Sequence, residues 1–359
     1  MNKRMPVILS IDTSCDETSV AVTQGLVVIS NVIASQVELH KKFGGVFPTV
    51  AKQAHIENID ACILLALKKA QIDFANLDAI AVTQGPGLAP ALEVGINKAK
   101  QLAEKYQKPL IAVNHIEGHL LSPLAQRNGK IKKQQLTTQF PVLSIIVSGG
   151  HTQFVLVTDI GQYQILGLTI DDAAGEALDK VGRMLDLGYP AGSVIEEFAK
   201  KGDPNKIKFA LPMTTTKDFN LSFSGLKTQA RNLIEKKQLN KQEIFDFAAS
   251  FQYAVFRHIC YKLNKVLQTE KINEIWLGGG VAANITLRRM IRETIGNHKN
   301  LLTRNLKTQT KVKLYTPFEK KLCGDNAAMI GVVAYFKFIN KNTIHNLNQL
   351  DRIPRLNLT

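Results

Sequence analysis

The chain has 359 residues, 45% hydrophobic and 21% charged, enough for two lobes that each bury a core and unlike a disordered polymer. Lys and Arg outnumber Asp and Glu by 45 to 30, a formal charge of +15. That balance suits a polyanionic partner, although a lysine-rich coding bias produces the same excess. Four scattered cysteines (Cys15, Cys62, Cys260 and Cys323) without a CxxC pair argue against a disulfide scaffold. The opening MNKRMPVILSIDTS has no secretory core and no apolar run approaches a membrane span, so a cytoplasmic protein with no membrane partner is expected.

In chain order, VILSI (7–11) and SVAVT (19–23) flank the turn DTSCDET and predict two strands around a loop. Residues 54–70 carry helical periodicity, a strand follows at 78–83, and QGPGLAP leads into a helix over about 91–105. A strand at 109–113 ends where a helix begins near His115. The Lys/Gln-rich stretch 127–139 has the composition of a surface connection. VLSIIVS (142–148), the turn GGH and QFVLVT (153–158) then repeat the strand–turn–strand arrangement of the N-terminus, which suggests two related lobes. Helices over about 173–186 and 242–268, a strand at 273–277, GGGVAAN and another helix follow. The polar, basic stretch 297–313 reads as an exposed insertion, and VKLYTP, CGDN and an apolar helix bring the chain back. The tail 341–359 reads as weakly ordered. Such alternation predicts an α/β architecture. The expected division is 1–130, completed by about 325–340, and 140–324.

Within NHIEGH, His115 and His119 stand at i, i+4, the spacing that lets two imidazoles on one helix face reach a single metal ion. Two surface histidines on an amphipathic helix would share that spacing. Glu117 lies two residues after His115, about 200° around the helix. It is therefore not the general base of an HExxH peptidase. The glycine turns TQGPGLAPALEVG (83–95), VSGGH (147–151) and LGGGVAAN (277–284) each expose backbone N–H groups at a strand end, where a phosphate can be cradled. Three such turns favour nucleotide binding, although none is a Walker loop or a Rossmann fingerprint. IDDAAGEALDK (170–180) offers Asp171, Asp172, Glu176 and Asp179. Asp179 suits ribose hydroxyls, while a solvated acidic helix start is the plainer account. Asp325 of CGDN has two readings, a helix cap or a third metal ligand, and spacing leaves both open.

Taken together and in order, DTSCDETSVAV, KKFGGVFPTVAKQAHIENI, TQGPGLAPALEVG, NHIEGH, VSGGHTQ, IDDAAGEALDK, FSGLKT, GGGVAAN and GDNAAMI resemble the tRNA N6-adenosine threonylcarbamoyltransferase family (TsaD type, formerly called glycoprotease) over roughly residues 7–340. The resemblance implies an actin-like, sugar-kinase-like two-lobed fold with the active cleft between lobes. It implies one divalent ion, Fe(2+) or alternatively Zn(2+), on His115, His119 and Asp325. By the same resemblance, the acyl-adenylate contacts fall on Ile146, Val147, Ser148, Gly149, Gly150, Asp179, Gly192, Glu196 and Asn284. The chain departs from the commoner pattern at Asp12, Thr49, Pro90, Glu93 and Ala191. Thr49 replaces a frequent glutamate and puts any role of that acidic position in doubt.

The implied activity is transfer of threonylcarbamoyl from threonylcarbamoyl-adenylate to the N6 amine of the adenosine beside the anticodon, in tRNAs that read ANN codons. Asp16 and Glu17 of the N-terminal turn are the candidate acid/base residues. Relatives of this type imply two protein partners, a paralogous subunit of the same fold (TsaB type) and a small P-loop ATPase (TsaE type). A small-molecule kinase or a non-catalytic scaffold of the same fold is the alternative. Such a kinase would not need HxxxH, and a scaffold would lose the three ligands.

Overall fold

The computed structural model describes residues 4–129, 138–302 and 312–359. The chain divides into two compact units, Met1–Thr137 with Pro317–Thr359, and Thr138–Thr316. Residues 130–137 and 303–311, within the two polar stretches read as surface segments, lie outside the described residues.

The first unit opens with β1 (Val7–Asp12), β2 (Glu17–Gln24) and β3 (Val27–Ser35). All of β1 is buried, which is why VILSI is apolar at four of five positions rather than alternating. The short α1 (Val37–Lys41), absent from the sequence reading, precedes α2 (Pro48–Ala70). That helix starts at Pro48 rather than near residue 54, because a proline in the first turn gives up an N–H that has no helical partner anyway. Then come β4 (Ala79–Gly85), α3 (Ala89–Lys105), β5 (Leu110–Asn114), α4 (His115–Leu121) and the two-residue β6 (Gln126–Arg127). The sheet order is β5-β4-β1-β2-β3-β6. β1, β2 and β3 pair antiparallel, while β4 pairs parallel with both β1 and β5. Leu9, Ile11, Val20 and Val22 of the sheet pack with Ile59, Ile63 and Leu67 of α2 and Ile96 of α3. Because β1 and β5 run parallel to β4, Asp12 and Asn114 close their strands at the same sheet end, where α/β proteins place ligands.

The second unit begins with β7 (Val142–Val147), β8 (Thr152–Asp159) and β9 (Gln162–Leu168). Helices α5 (Ala174–Met184), α6 (Ala191–Ala199), α7 (Ser224–Ile234) and α8 (Lys241–Thr269) follow. β10 (Glu274–Gly278), α9 (Ile285–Leu302) and β11 (Lys313–Tyr315) complete it. Its sheet order, β11-β10-β7-β8-β9, repeats the run β5-β4-β1-β2-β3 of the first sheet. Again two parallel pairings lead into an antiparallel ribbon of three. Phe154, Phe223, Phe247, Phe251 and Phe256 fill its core.

The chain returns to the first unit through α10 (Ala327–Ile339), whose residues 327–334 are buried. A Cβ at Gly331 would stand 2.6 Å from Thr23 Oγ1, so glycine there lets α10 approach β2 closely. The tail, expected to be weakly ordered, is instead tied to this unit. Ile344 N–H donates to the Leu110 carbonyl at 2.8 Å, Ile353 N–H to that of Gln84 at 2.9 Å, and Leu350 is buried. All four cysteines are free. Among the described residues no helix is long and apolar enough to cross a membrane.

Gly182 of α5 faces Ala191, the first residue of α6, and a Cβ at 182 would lie 2.3 Å from the Ala191 Cβ. Gly182→Ala should destabilise the chain by about 1–3 kcal/mol through overpacking, seen as a lower melting temperature. Ala191→Gly added to it should recover much of that loss; no recovery would contradict this packing.

Candidate metal centre and glycine turns

Asn114 ends β5 and caps α4, its Oδ1 accepting from the N–H groups of Ile116 at 2.8 Å and Glu117 at 3.4 Å. The cap starts the helix abruptly at the sheet end, so His115 is its first residue and His119 lies one turn on. The two rings meet edge to face with centroids 4.7 Å apart. Both aim Nε2 at one oxygen, Asp325 Oδ1, at 3.5 Å for His115 and 3.1 Å for His119. Ligand atoms of the three side chains lie within 4.8 Å of one another. Asp325 is not the cap of α10. Asn326 takes that part, accepting from Met329 N–H at 3.1 Å, and so leaves the carboxylate before it to the histidines. Glu117 turns the other way, with Lys337 Nζ 3.8 Å from its Oε2, so it does not face the group as a peptidase base would.

The supports of His115 were not read from the sequence. Ser14 Oγ lies 3.1 Å from His115 Nδ1, and Asp12 Oδ2 is 3.8 Å from the same atom. Asp12 Oδ1 is held by Ser14 N–H at 3.2 Å and Thr83 Oγ1 at 2.8 Å. Asp12 Oδ2 and His119 Nδ1 are buried without a hydrogen-bond partner. Two imidazoles converging on a carboxylate, with a further buried acidic oxygen unsatisfied beside them, form a donor set that fits a divalent cation such as iron or zinc.

The electrostatics point the same way. Burial would keep His115 neutral, but the charge of Asp325 and contacts with Asp12 and Asp325 overcome it and push its pKa up to about 10. Burial opposes ionisation of Asp325, yet the two histidines hold it well below the ordinary carboxylate range. Glu17 is raised to about 10, first by burial and then by repulsion from Asp325 and Asp16. Burial and the same acids also raise the Cys15 thiol well above its usual value.

The remaining sequence-picked residues belong to the second unit. Ile146 and Val147 end β7 in the core, and the turn closes through Ser148, whose N–H donates to the His151 carbonyl at 2.8 Å. Gly149 and Gly150 are exposed, and a Cβ at either would meet nothing within 4 Å. Asp179 Oδ1 accepts from Gly192 N–H at 2.7 Å, which brings these two candidates together. Glu196 accepts from Ile285 N–H at 3.0 Å, next to Asn284. Asn284 caps α9 through Thr286 N–H at 2.9 Å and donates its amide to Gln252 Oε1 at 2.7 Å. Gly279 takes φ +90°, and a Cβ there would sit 2.4 Å from the Val147 carbonyl oxygen, so the turn after β10 presses on the end of β7. Asp171 and Asp172 serve structure. Asp171 accepts from Ser222 and Ser224, and Asp172 pairs with Lys180 and Lys227.

Fold and side chains thus define an α/β protein with the fold of actin-like ATPases and sugar kinases, in which two histidines and an aspartate bring their ligand atoms within 4.8 Å of one another. The solved structure of HypF from T. kodakarensis superposes with a TM-score of 0.60 at 14% identity, covering 94% of this chain and 48% of that one. The TsaD family, described as tRNA N6-adenosine threonylcarbamoyltransferase, matches residues 27–332, and the chain belongs to it. Relatives bearing that name from Clostridium kluyveri and Clostridioides difficile are each 44% identical over 355 residues. They cover 98% of this chain, and the match spans 97% and 98% of theirs.

Between pH 6.5 and about 10 the unfolded chain releases the His115 proton that the folded chain keeps. From pH 4.5 to about 10 the same holds for Glu17. In both cases the folded state binds more protons, so stability falls as pH rises. The chelator-treated protein should therefore lose several degrees of melting temperature from about pH 5 to about pH 9, and His115→Ala should flatten part of that slope. A pH-independent melting temperature would contradict the electrostatics described.

Proposed function

We propose that this chain transfers a threonylcarbamoyl group from threonylcarbamoyl-adenylate to the N6 amine of the adenosine beside the anticodon, in tRNAs that read ANN codons. The observation that carries this reading is the convergence of His115, His119 and Asp325 in a chain of that family. These three side chains would hold one divalent ion, iron by preference and zinc otherwise. When bound, such an ion supplies Lewis-acid polarisation of an acyl carbonyl, which a weak nucleophile such as an aromatic amine needs.

The protein's own groups divide the remaining tasks. Ser14 and Asp12 orient His115, as outer partners of metal-ligating histidines do. Asp16 and Glu17, on the turn that carries Ser14, are the acids proposed to handle the amine's proton. In the second unit the open backbone at Gly149 and Gly150 suits the adenylate phosphate. Asp179 with Gly192, and Glu196 beside Asn284, are proposed for the nucleoside. The positive charge of +15 suits the tRNA backbone. A target in a single-stranded loop can be splayed out for reaction. We also propose that a paralogous subunit of the same fold and a small P-loop ATPase act with this chain.

His115→Ala or His119→Ala should lower tRNA modification by about 10²-fold or more and remove the bound metal together with it. The measurements are the mass increase on one adenosine, with adenylate and partners supplied, and elemental analysis of purified protein. Full modification by either variant would overturn the metal-assisted mechanism.

A further inference from the structure

Behind the N-terminal turn, the first unit buries a second polar cluster that the metal centre does not use. His40, His55 and Thr18 are fully buried, and Gln36 is 1% exposed. The Phe47 N–H reaches His40 Nδ1 at 3.4 Å, and His40 Nε2 reaches Gln36 Oε1 at 3.2 Å. Gln36 Nε2 reaches His55 Nδ1 at 3.2 Å, and His55 Nε2 reaches the Cys15 carbonyl at 3.1 Å. Thr18 Oγ1 also lies 2.7 Å from His55 Nδ1.

The two ends of this chain of contacts settle every proton in it. A backbone carbonyl only accepts, so His55 carries its proton on Nε2 and accepts at Nδ1. Gln36 must then present its NH₂ to His55 and its oxygen to His40. A backbone N–H only donates, so His40 accepts at Nδ1 and donates from Nε2. Both imidazoles are neutral with the proton on Nε2, and every bond points from Phe47 toward Cys15. Burial lowers the His55 pKa, in keeping with a neutral ring.

The relay ends where the metal centre is supported. Three consecutive carbonyls of the turn are pinned: Ser14 by Leu88 N–H at 2.9 Å, Cys15 by His55, and Asp16 by Gln36 N–H at 2.9 Å. Ser14, whose own carbonyl is the first of these and is followed directly by that of Cys15, bears the hydroxyl on His115 Nδ1. Of the three anchors only His55 is a side chain. We infer that His55, oriented by Gln36 and His40, is a positioning residue that holds the turn Ser14–Glu17 against the His115 ring. This deepens the reading of His115, His119 and Asp325 as a metal site and rests on it.

Two variants of the full chain divide the relay at one position. In His55→Gln the side-chain amide reaches the place of Nε2 and keeps a donor for Cys15. In His55→Asn a shorter amide reaches the place of Nδ1, where its oxygen still accepts from Thr18 and Gln36, but the bond to Cys15 is lost. Titrated with Co²⁺ and followed by visible absorption, His55→Asn should bind about 10-fold more weakly or worse, while His55→Gln stays near wild type. Equal losses in the two variants, or wild-type affinity in His55→Asn, would overturn the inference. Nitrogen–proton correlation of the ring nitrogens in the unsubstituted protein needs no variant, and a proton on Nδ1 of His40 or His55 would also overturn it. His115→Ala separates the two ideas: unchanged Co²⁺ binding there removes the metal reading, and the tautomers then decide the relay alone.

Discussion

Buried negative charge around two imidazoles is the constraint on which the first unit is organised. Asp12 and Asp16 are buried, Glu17 is half-buried, and Asp325 joins them from a distant part of the chain. Carboxylates gathered in a poorly hydrated place repel one another, and folding must supply protons or a cation to hold them together. Without a metal the protons sit on His115 and Glu17. A divalent ion on His115, His119 and Asp325 would supply positive charge in place of those protons. Neighbouring elements fit this requirement. Asn114 caps α4 so that both histidines face one side, and Asn326 caps α10 so that Asp325 is free.

The two units apply one strand order to different chemistry. In each, parallel strands lead into an antiparallel ribbon, and loops at the strand ends carry the candidate residues. The first unit places charged side chains there, donors suited to a cation. The second places glycines and backbone amides there, suited to an anion. Gly279, held at positive φ over the Val147 carbonyl, shows how closely the backbone is drawn in at that end. Neighbouring side chains are committed within the unit, Asp179 to the Gly192 backbone N–H and Asn284 to the Gln252 side chain, which holds the loops in shape.

Much of this could be read from residue order. The strands at 7–11 and 142–148, the long helix over 241–269 and the doubled strand–turn–strand arrangement follow from apolar runs and periodicity. Other elements could not be read that way. The edge strand β9 alternates weakly, and α6 and α7 are short helices whose cores are supplied by other segments. The tail looked weakly ordered because its sequence is polar, yet Leu350 is buried and its backbone amides find carbonyls at β4 and β5. Such packing is a property of the surface receiving the segment, not of the segment.

The amino-acid order determined the local geometry of the centre. HxxxH fixes two imidazoles one helical turn apart, and Asn before it starts the helix at the strand end. It also marked the glycine turns, because a Gly-rich stretch at a strand end is legible from spacing alone. The convergence of those parts was decided by tertiary structure. Asp325 stands 206 residues beyond His119, and only the packing of α10 brings its carboxylate to 3.1 Å from the ring. Equally, nothing local relates His40, Gln36 and His55 to Cys15. Only the contact of His40 with Gln36 is local, at i, i+4; the others run between elements, and direction in such a chain exists only once the fold has joined a donor at one end to an acceptor at the other.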